Sequence, residues 1–170
     1  MKVLAIDIGT VNVGWAYGSP GDRMPAHGVY KPPPTQRNIG WLLADIRAWL
    51  TTTCENARIT NIVYCSPILV FGNNPWTTRK VDGFATHIEL FGYDHDVTVE
   101  EEIESRIRKH FLAPHKVPRK SAEIKAAVIA RCRALGWTPQ LDDDADALAL
   151  LDYTLALKGS RLANKILELR

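Results

Sequence analysis

Three short strand-like runs open the chain before any helix can form. Val3 to Ile8 is an apolar run ending in Asp7-Ile8-Gly9-Thr10, Val13 to Gly18 is a second, and Gly9 to Asn12 leaves room only for a tight turn between them. Gly18-Ser19-Pro20-Gly21-Asp22 is a turn by composition. His27 to Lys31 supplies a third run, closed by Pro32-Pro33-Pro34, which cannot continue a sheet. Three strands joined by short turns make an antiparallel meander.

From Thr35 the period changes. Ile39, Leu42, Leu43, Ile46 and Leu50 recur at helical spacing, which predicts an amphipathic helix to about Thr52. Asn61 to Cys65 is a fourth buried strand, stopped by Ser66-Pro67. Phe71 to Pro75 is loop, Thr77 to Phe91 a second helix, and Val97 and Val99 mark a fifth strand. A short helix covers Ile103 to Phe111, and a loop follows, Ala113 to Pro118. Ser121 caps a helix over Ala122 to Leu135, which Gly136 ends. The last strong helix begins in Asp142-Asp143-Asp144 and runs to about Leu157, its first-turn acids suiting the positive end of the helix dipole. This order predicts an α/β domain over 1–157, a five-stranded mixed sheet flanked by helices, with a polar, weakly helical tail over 158–170.

Composition narrows the class. A chain of 170 residues with 46% hydrophobic and 24% charged residues is ordinary for one folded domain and excludes wholesale disorder. No apolar run approaches the ~18–20 residues of a membrane span. Asp7 interrupts what would be a signal peptide's apolar region, and Cys54, Cys65 and Cys132 are too few and too scattered for a disulfide framework or zinc site. A reducing cytoplasm is the expected compartment. The net charge is only +2, yet between Ile103 and Pro139 the cations Arg106, Arg108, Lys109, Lys116, Arg119, Lys120, Lys125, Arg131 and Arg133 are opposed only by Glu104 and Glu123. Asp94, Asp96, Glu100, Glu101 and Glu102 form an acidic cluster just before it. Such a basic stretch is either a solvated helix face or a one-sided footprint for phosphate.

Two places put carboxylates where a core would not want them. Asp7 lies between Ile6 and Ile8 on a buried strand, where an ionised group is costly unless paired or bound to a metal. Asp143 and Asp146 are three residues apart and share a helix face, and Ala145, Ala147 and Ala149 allow that helix to approach a sheet closely. If it packs beside the first strand, three carboxylates meet, and oxygen ligands of that kind select Mg²⁺ or Mn²⁺. Capping of the helix is the plainer account of Asp143.

Ala5-Ile6-Asp7-Ile8-Gly9-Thr10 followed by Val13-Gly14-Trp15-Ala16 resembles the first strand and hairpin of RuvC-type Holliday-junction resolvases. Asp143-Asp144-Ala145-Asp146-Ala147-Leu148-Ala149 is similar to that family's last helix, and Arg106 to Leu112 and Lys120 to Lys125 to its basic segments. Residues 126–137 are more like the short resolvases of phages and prophages. The resemblance covers roughly residues 1–157. It implies a ribonuclease-H-like fold and a structure-selective endonuclease that cleaves branched DNA with two Mg²⁺ ions, Mn²⁺ serving as substitute. Asp7, Asp143 and Asp146 would be the metal ligands, with Lys125 steadying the scissile phosphate. Arg108, Lys109, Arg119 and Lys120 would follow flanking phosphates without reading sequence. In the loop after the fourth strand, Ile68, Phe71 and Asn73 would contact DNA, an apolar side chain entering near the junction centre; Ile68 or Phe71 could equally fold back on the core. A homodimer would match the two-fold symmetry of a four-way junction, with helices at the sheet edge and the stretch Leu162 to Leu169 as interface, in a bacterial or phage-infected cell.

One position departs from the pattern. The family places a glutamate at the end of the fourth strand, where this chain has Cys65, and a thiol is a poor partner for Mg²⁺. Three accounts follow: a deliberate change that disables cutting, a site rebuilt around another acid such as Glu89 or Glu101, or a relative that binds branched DNA without cutting. Rebuilding has the least support in the sequence, since each acid reads as exposed helix or strand-end charge. The chain is then expected to cut poorly and Cys65→Glu to raise cleavage. The actin- or hexokinase-like alternative for Asp7-Ile8-Gly9-Thr10 needs a second nucleotide-gripping domain, for which 170 residues leave no room.

Overall fold

In the computed structural model, which describes residues 1–34, 38–67 and 74–168, the strands β1 (Val3–Ile8), β2 (Val13–Gly18), β3 (Ala26–Tyr30), β4 (Asn61–Cys65) and β5 (Thr98–Glu102) form one sheet in the order β3-β2-β1-β4-β5. β1 and β2, and β2 and β3, pair antiparallel; β4 runs parallel to β1, and β5 parallel to β4. This is the mixed sheet expected from the run order. The helices are α1 (Gly40–Ala57), α2 (Pro75–His95), α3 (Glu104–Phe111), α4 (Ser121–Ala134) and α5 (Asp142–Glu168). Among the described residues no helix is long and apolar enough to cross a membrane.

The strand period of two divides the core. Leu4 and Ile6 of β1, with Ile62 and Tyr64 of β4, pack under α1 and α2 against Leu42, Ile46, Leu50, Phe84 and Ile88. Val3, Ala5 and Val63 face the other way, onto Ala145, Leu148 and Ala149 of α5. α5 is buried nearly all round from Asp144 to Leu151, because α3 and α4 cover the side turned from the sheet with Ile107, Phe111, Val128 and Cys132. Its alanines let the helix axis settle close to the strands.

Several boundaries move. α1 continues to Ala57, where Arg58 adopts the left-handed conformation (φ 54°). α2 begins at Pro75, because the Asn74 side chain accepts the Trp76 N–H and proline suits a first helical position. It ends at His95, before left-handed Asp96. Ser121 does not cap α4: it is the first helical residue, and Lys120 precedes it without a side-chain bond to the helix end. β5 absorbs Glu100, Glu101 and Glu102, and the acidic cluster disperses. Asp94 pairs with Arg47 at 2.8 Å, and Glu100 with Lys158. α5 continues past Leu157, through the stretch expected to be a weakly helical tail.

Candidate metal centre

The alternation that turns Val3 and Ala5 toward α5 carries Asp7 to the same face at the end of β1. Cys65 follows Val63 onto that face at the end of β4. The start of α5 reaches this point because Gly14, the register partner of Asp7, has no side chain. A Cβ at Gly14 would lie 1.8 Å from the Asp143 carbonyl oxygen. Gly9, in the β1–β2 turn, would likewise place a Cβ 2.1 Å from the Asn12 carbonyl oxygen.

The three consecutive aspartates have separate duties. Asp144 is fully buried; it accepts the backbone N–H groups of Gln140 (3.0 Å) and Leu141 (2.8 Å) and lies 3.0 Å from His27 Nδ1 of β3. Asp144, not Asp143, therefore serves the helix end. Asp143 accepts a 3.2 Å hydrogen bond from Asn12 Nδ2 in the hairpin turn. Asp142 is ion-paired with Lys125 of α4, which holds the carboxyl below and the ammonium above their usual ranges. Asp146 stands one turn further on, partly buried.

Negative charge accumulates where these elements meet. Burial, then the carboxylates of Asp146, Asp143 and Glu104, push Asp7 up to about 8, with Arg108 opposing. Burial raises Asp146 to about 6, against Arg108 and Lys125 and with Glu104 and Asp142. The Cys65 thiol is pushed up to about 12 by burial, Asp7, Glu104 and Asp146, so it stays protonated at neutral pH. A cleft of about 240 Å³ opens here, lined in part by Asp7, Gly9, Thr10, Cys65, Ser66, Thr77 and Glu104.

Glu104 is the residue that sequence reasoning missed. It opens α3 and pairs with Arg108 one turn later. Within a basic stretch it reads as ordinary first-turn charge, and only the parallel β4–β5 register carries it to Cys65. Glu89 and Glu101, considered above as replacement acids, belong to the opposite face: Tyr64 Oη donates to Glu89 at 2.7 Å, and Glu101 is the register partner of Tyr64.

Of the basic residues expected to follow phosphates, Lys109, Arg119 and Lys120 are exposed, with Lys120 3.3 Å from Glu123. Arg108 instead turns inward, drawn by Glu104 and by Asp7 and Asp146 beyond it. Ile68, Phe71 and Asn73, and the side chains of the interface stretch Leu162 to Leu169, lie outside the described residues.

The donors are carboxylate oxygens, the set that hard divalent cations prefer, and their crowding leaves the cleft short of positive charge. By donor chemistry the residues fit such ions. Among the described residues, no three carboxylate, thiol or imidazole groups are gathered tightly enough to hold an ion as they stand. Three of the acids around the cleft are engaged locally: Asp143 with Asn12, Asp142 with Lys125, Glu104 with Arg108.

A sheet of this order, with helices on both faces and the last helix seated on β1 and β2, is the ribonuclease-H-like fold of RuvC-type resolvases. Solved structures place it there. Thermus thermophilus RuvC, in complex with a Holliday junction substrate, matches with a TM-score of 0.67 over 90% of this chain and 92% of its own, at 16% identity. The yeast mitochondrial Holliday junction resolvase Ydc2 matches with a TM-score of 0.67 over 90% of this chain and 77% of its own, at 13% identity. The fowlpox virus resolvase, complexed with Holliday junction DNA, matches with a TM-score of 0.54 over 92% and 99%, at 15% identity. No protein-family model and no curated protein matches the sequence.

Proposed function

We propose that the chain is a divalent-metal-dependent endonuclease that cleaves branched DNA, four-way junctions first among them, and that it works as a homodimer in a bacterial or phage-infected cytoplasm. The observation that carries this reading is the seating of the α5 start on the β1–β2 hairpin. It brings Asp7, Asp143 and Asp146 into one electrostatic group beside a cleft, where an ionised carboxylate is costly to bury. The solved structures of similar fold include two bound to Holliday junctions.

In this reading Asp7, Asp143 and Asp146 hold two Mg²⁺ ions, or Mn²⁺ in their place. Ions held there would supply activation of a water and charge stabilisation at the departing 3′ oxygen of an in-line displacement. Water adds to phosphorus as the bond to the 3′ oxygen breaks, leaving a 5′-phosphate and a 3′-hydroxyl. Lys125, paired with Asp142 at the start of α5, is the cation that would meet a phosphate oxygen. Lys109, Arg119 and Lys120 meet flanking phosphates and position the duplex arms. The two-fold symmetry of a dimer presents one site to each of two opposed strands.

The test is a gel assay of end-labelled four-way, three-way and linear DNA with Mg²⁺ or Mn²⁺, the chain run beside Asp146→Asn. Paired nicks in the four-way junction that vanish in the variant are the expected result. Cys65 favours a second reading, a branched-DNA binder that does not cut. Tight junction binding with no cleavage in either metal would select it.

A further inference from the structure

We propose that Glu104 supplies the fourth carboxylate of the site, in place of the one the resemblance expects at position 65, and that Arg108 holds it aside until a divalent ion is bound. The proposal rests on the metal-dependent reading above and names the residue that completes it.

Strand register sets the position of Glu104. β4 and β5 run parallel with Cys65 opposite Glu102, and the Ser66 N–H donates to the Glu102 carbonyl at 2.8 Å. β5 therefore ends level with Cys65, and two residues later the chain has turned into α3. Its first residue, Glu104, lines the same cleft as Asp7 and Cys65. A carboxylate lost from the end of β4 is thus replaced from the neighbouring strand's exit. A glutamate side chain is long enough to swing between α3 and the cleft, and a cysteine at 65 leaves it room.

The Glu104–Arg108 pair is not a closed structural bridge. Both side chains are partly buried, and the Arg108 Nε–H is buried with no acceptor among the described residues. An ordinary surface pair one helical turn apart would leave no such orphan. Arg108 is the cation that opposes the negative charge at Asp7, and it acts on Asp146 together with Lys125. When Glu104 turns to the ions, the vacated fork of Arg108 becomes available to a phosphate oxygen.

The test is Mn²⁺ binding to the full chain without DNA, followed by the spin-resonance signal of free Mn²⁺, with circular-dichroism melts confirming each variant's fold. Glu104→Gln should weaken Mn²⁺ binding about tenfold or more. Cys65→Ala should leave it unchanged, and Cys65→Glu added to Glu104→Gln should restore it. Arg108→Gln should tighten binding by removing a competing cation, which a merely structural ion pair would not do. Should Glu104→Gln melt early, Glu104→Asp serves in its place and should show intermediate affinity. Unchanged Mn²⁺ binding in Glu104→Gln, with binding lost in Asp7→Asn and Asp146→Asn, would overturn this assignment and spare the metal site. Unchanged binding in all three would overturn the metal-dependent reading itself. Loss of binding in Cys65→Ala would overturn the assignment in favour of the thiol.

Discussion

Gly14 faces Asp143 with no space between them: a methyl group on its Cα would fall 1.8 Å from the Asp143 carbonyl oxygen. Gly14→Ala must therefore push the first turn of α5 off the hairpin. Overpacking of this kind should cost about 3 kcal/mol. The expected outcome is a lower urea midpoint together with loss of Mn²⁺ binding; a variant as stable as the parent would mean that α5 does not sit on β2 as described.

Asp143 and Asp144 are neighbours with opposite expected phenotypes. Asp144→Ala leaves two backbone N–H groups and His27 without their acceptor in a buried place, which should cost on the order of 2–4 kcal/mol in denaturant titration. Asp143→Asn keeps the polar contact with Asn12 within reach and should leave stability within about 1 kcal/mol while weakening metal binding. Equal effects of the two substitutions on stability would remove the division of duties between them.

Without metal, the pH dependence of stability should carry the signature of Asp7. Its folded pKa is raised from 3.8 to about 8, so the folded state holds a proton that the unfolded chain has released. Stability from this group is complete below about pH 4 and is lost as pH rises toward 8. In chelator, the melting temperature should fall from pH 5 to pH 8.5, Asp7→Asn should flatten the fall and melt higher at pH 8, and Mn²⁺ should restore the parent at high pH. A parent profile that Asp7→Asn leaves unaltered would contradict the crowding described.

Junction affinity should depend on salt through the exposed cations. Replacing Lys109, Arg119 and Lys120 with Gln should lower the slope of log affinity against log salt by about 0.9 per contact removed and weaken four-way and linear DNA alike. Filter binding at several salt concentrations reads this directly. A slope that does not change would place the DNA on another face.

The main lines of the fold are legible because the two periods alternate cleanly. Asp7 shares parity with Val3 and Ala5, so once those two face a helix, its direction follows. Asp143 and Asp146 share a face at three-residue spacing, and the alanines beside them announce close packing. Other features depend on distant partners and leave no local mark. Nothing in Asp142-Asp143-Asp144 tells which carboxylate turns inward; His27, more than a hundred residues away, decides it. Ser121 looks like a cap by type, yet the backbone enters α4 one residue earlier. Glu104 looks like helix-end charge, and its neighbourhood exists only because β5 lies parallel to β4. Arg108 reads like its exposed neighbours because spacing alone does not distinguish a cation that faces water from one drawn toward buried acids.

The seating of α5 has a temporal corollary. Asp7 precedes Asp143 and Asp146 by well over a hundred residues, so a nascent polypeptide lacks the full set of acids until the start of α5 has emerged from the ribosome. A metal site assembled in this order would be completed only then. Fragments released earlier by stalled synthesis or proteolysis would carry the basic stretch without the α5 acids.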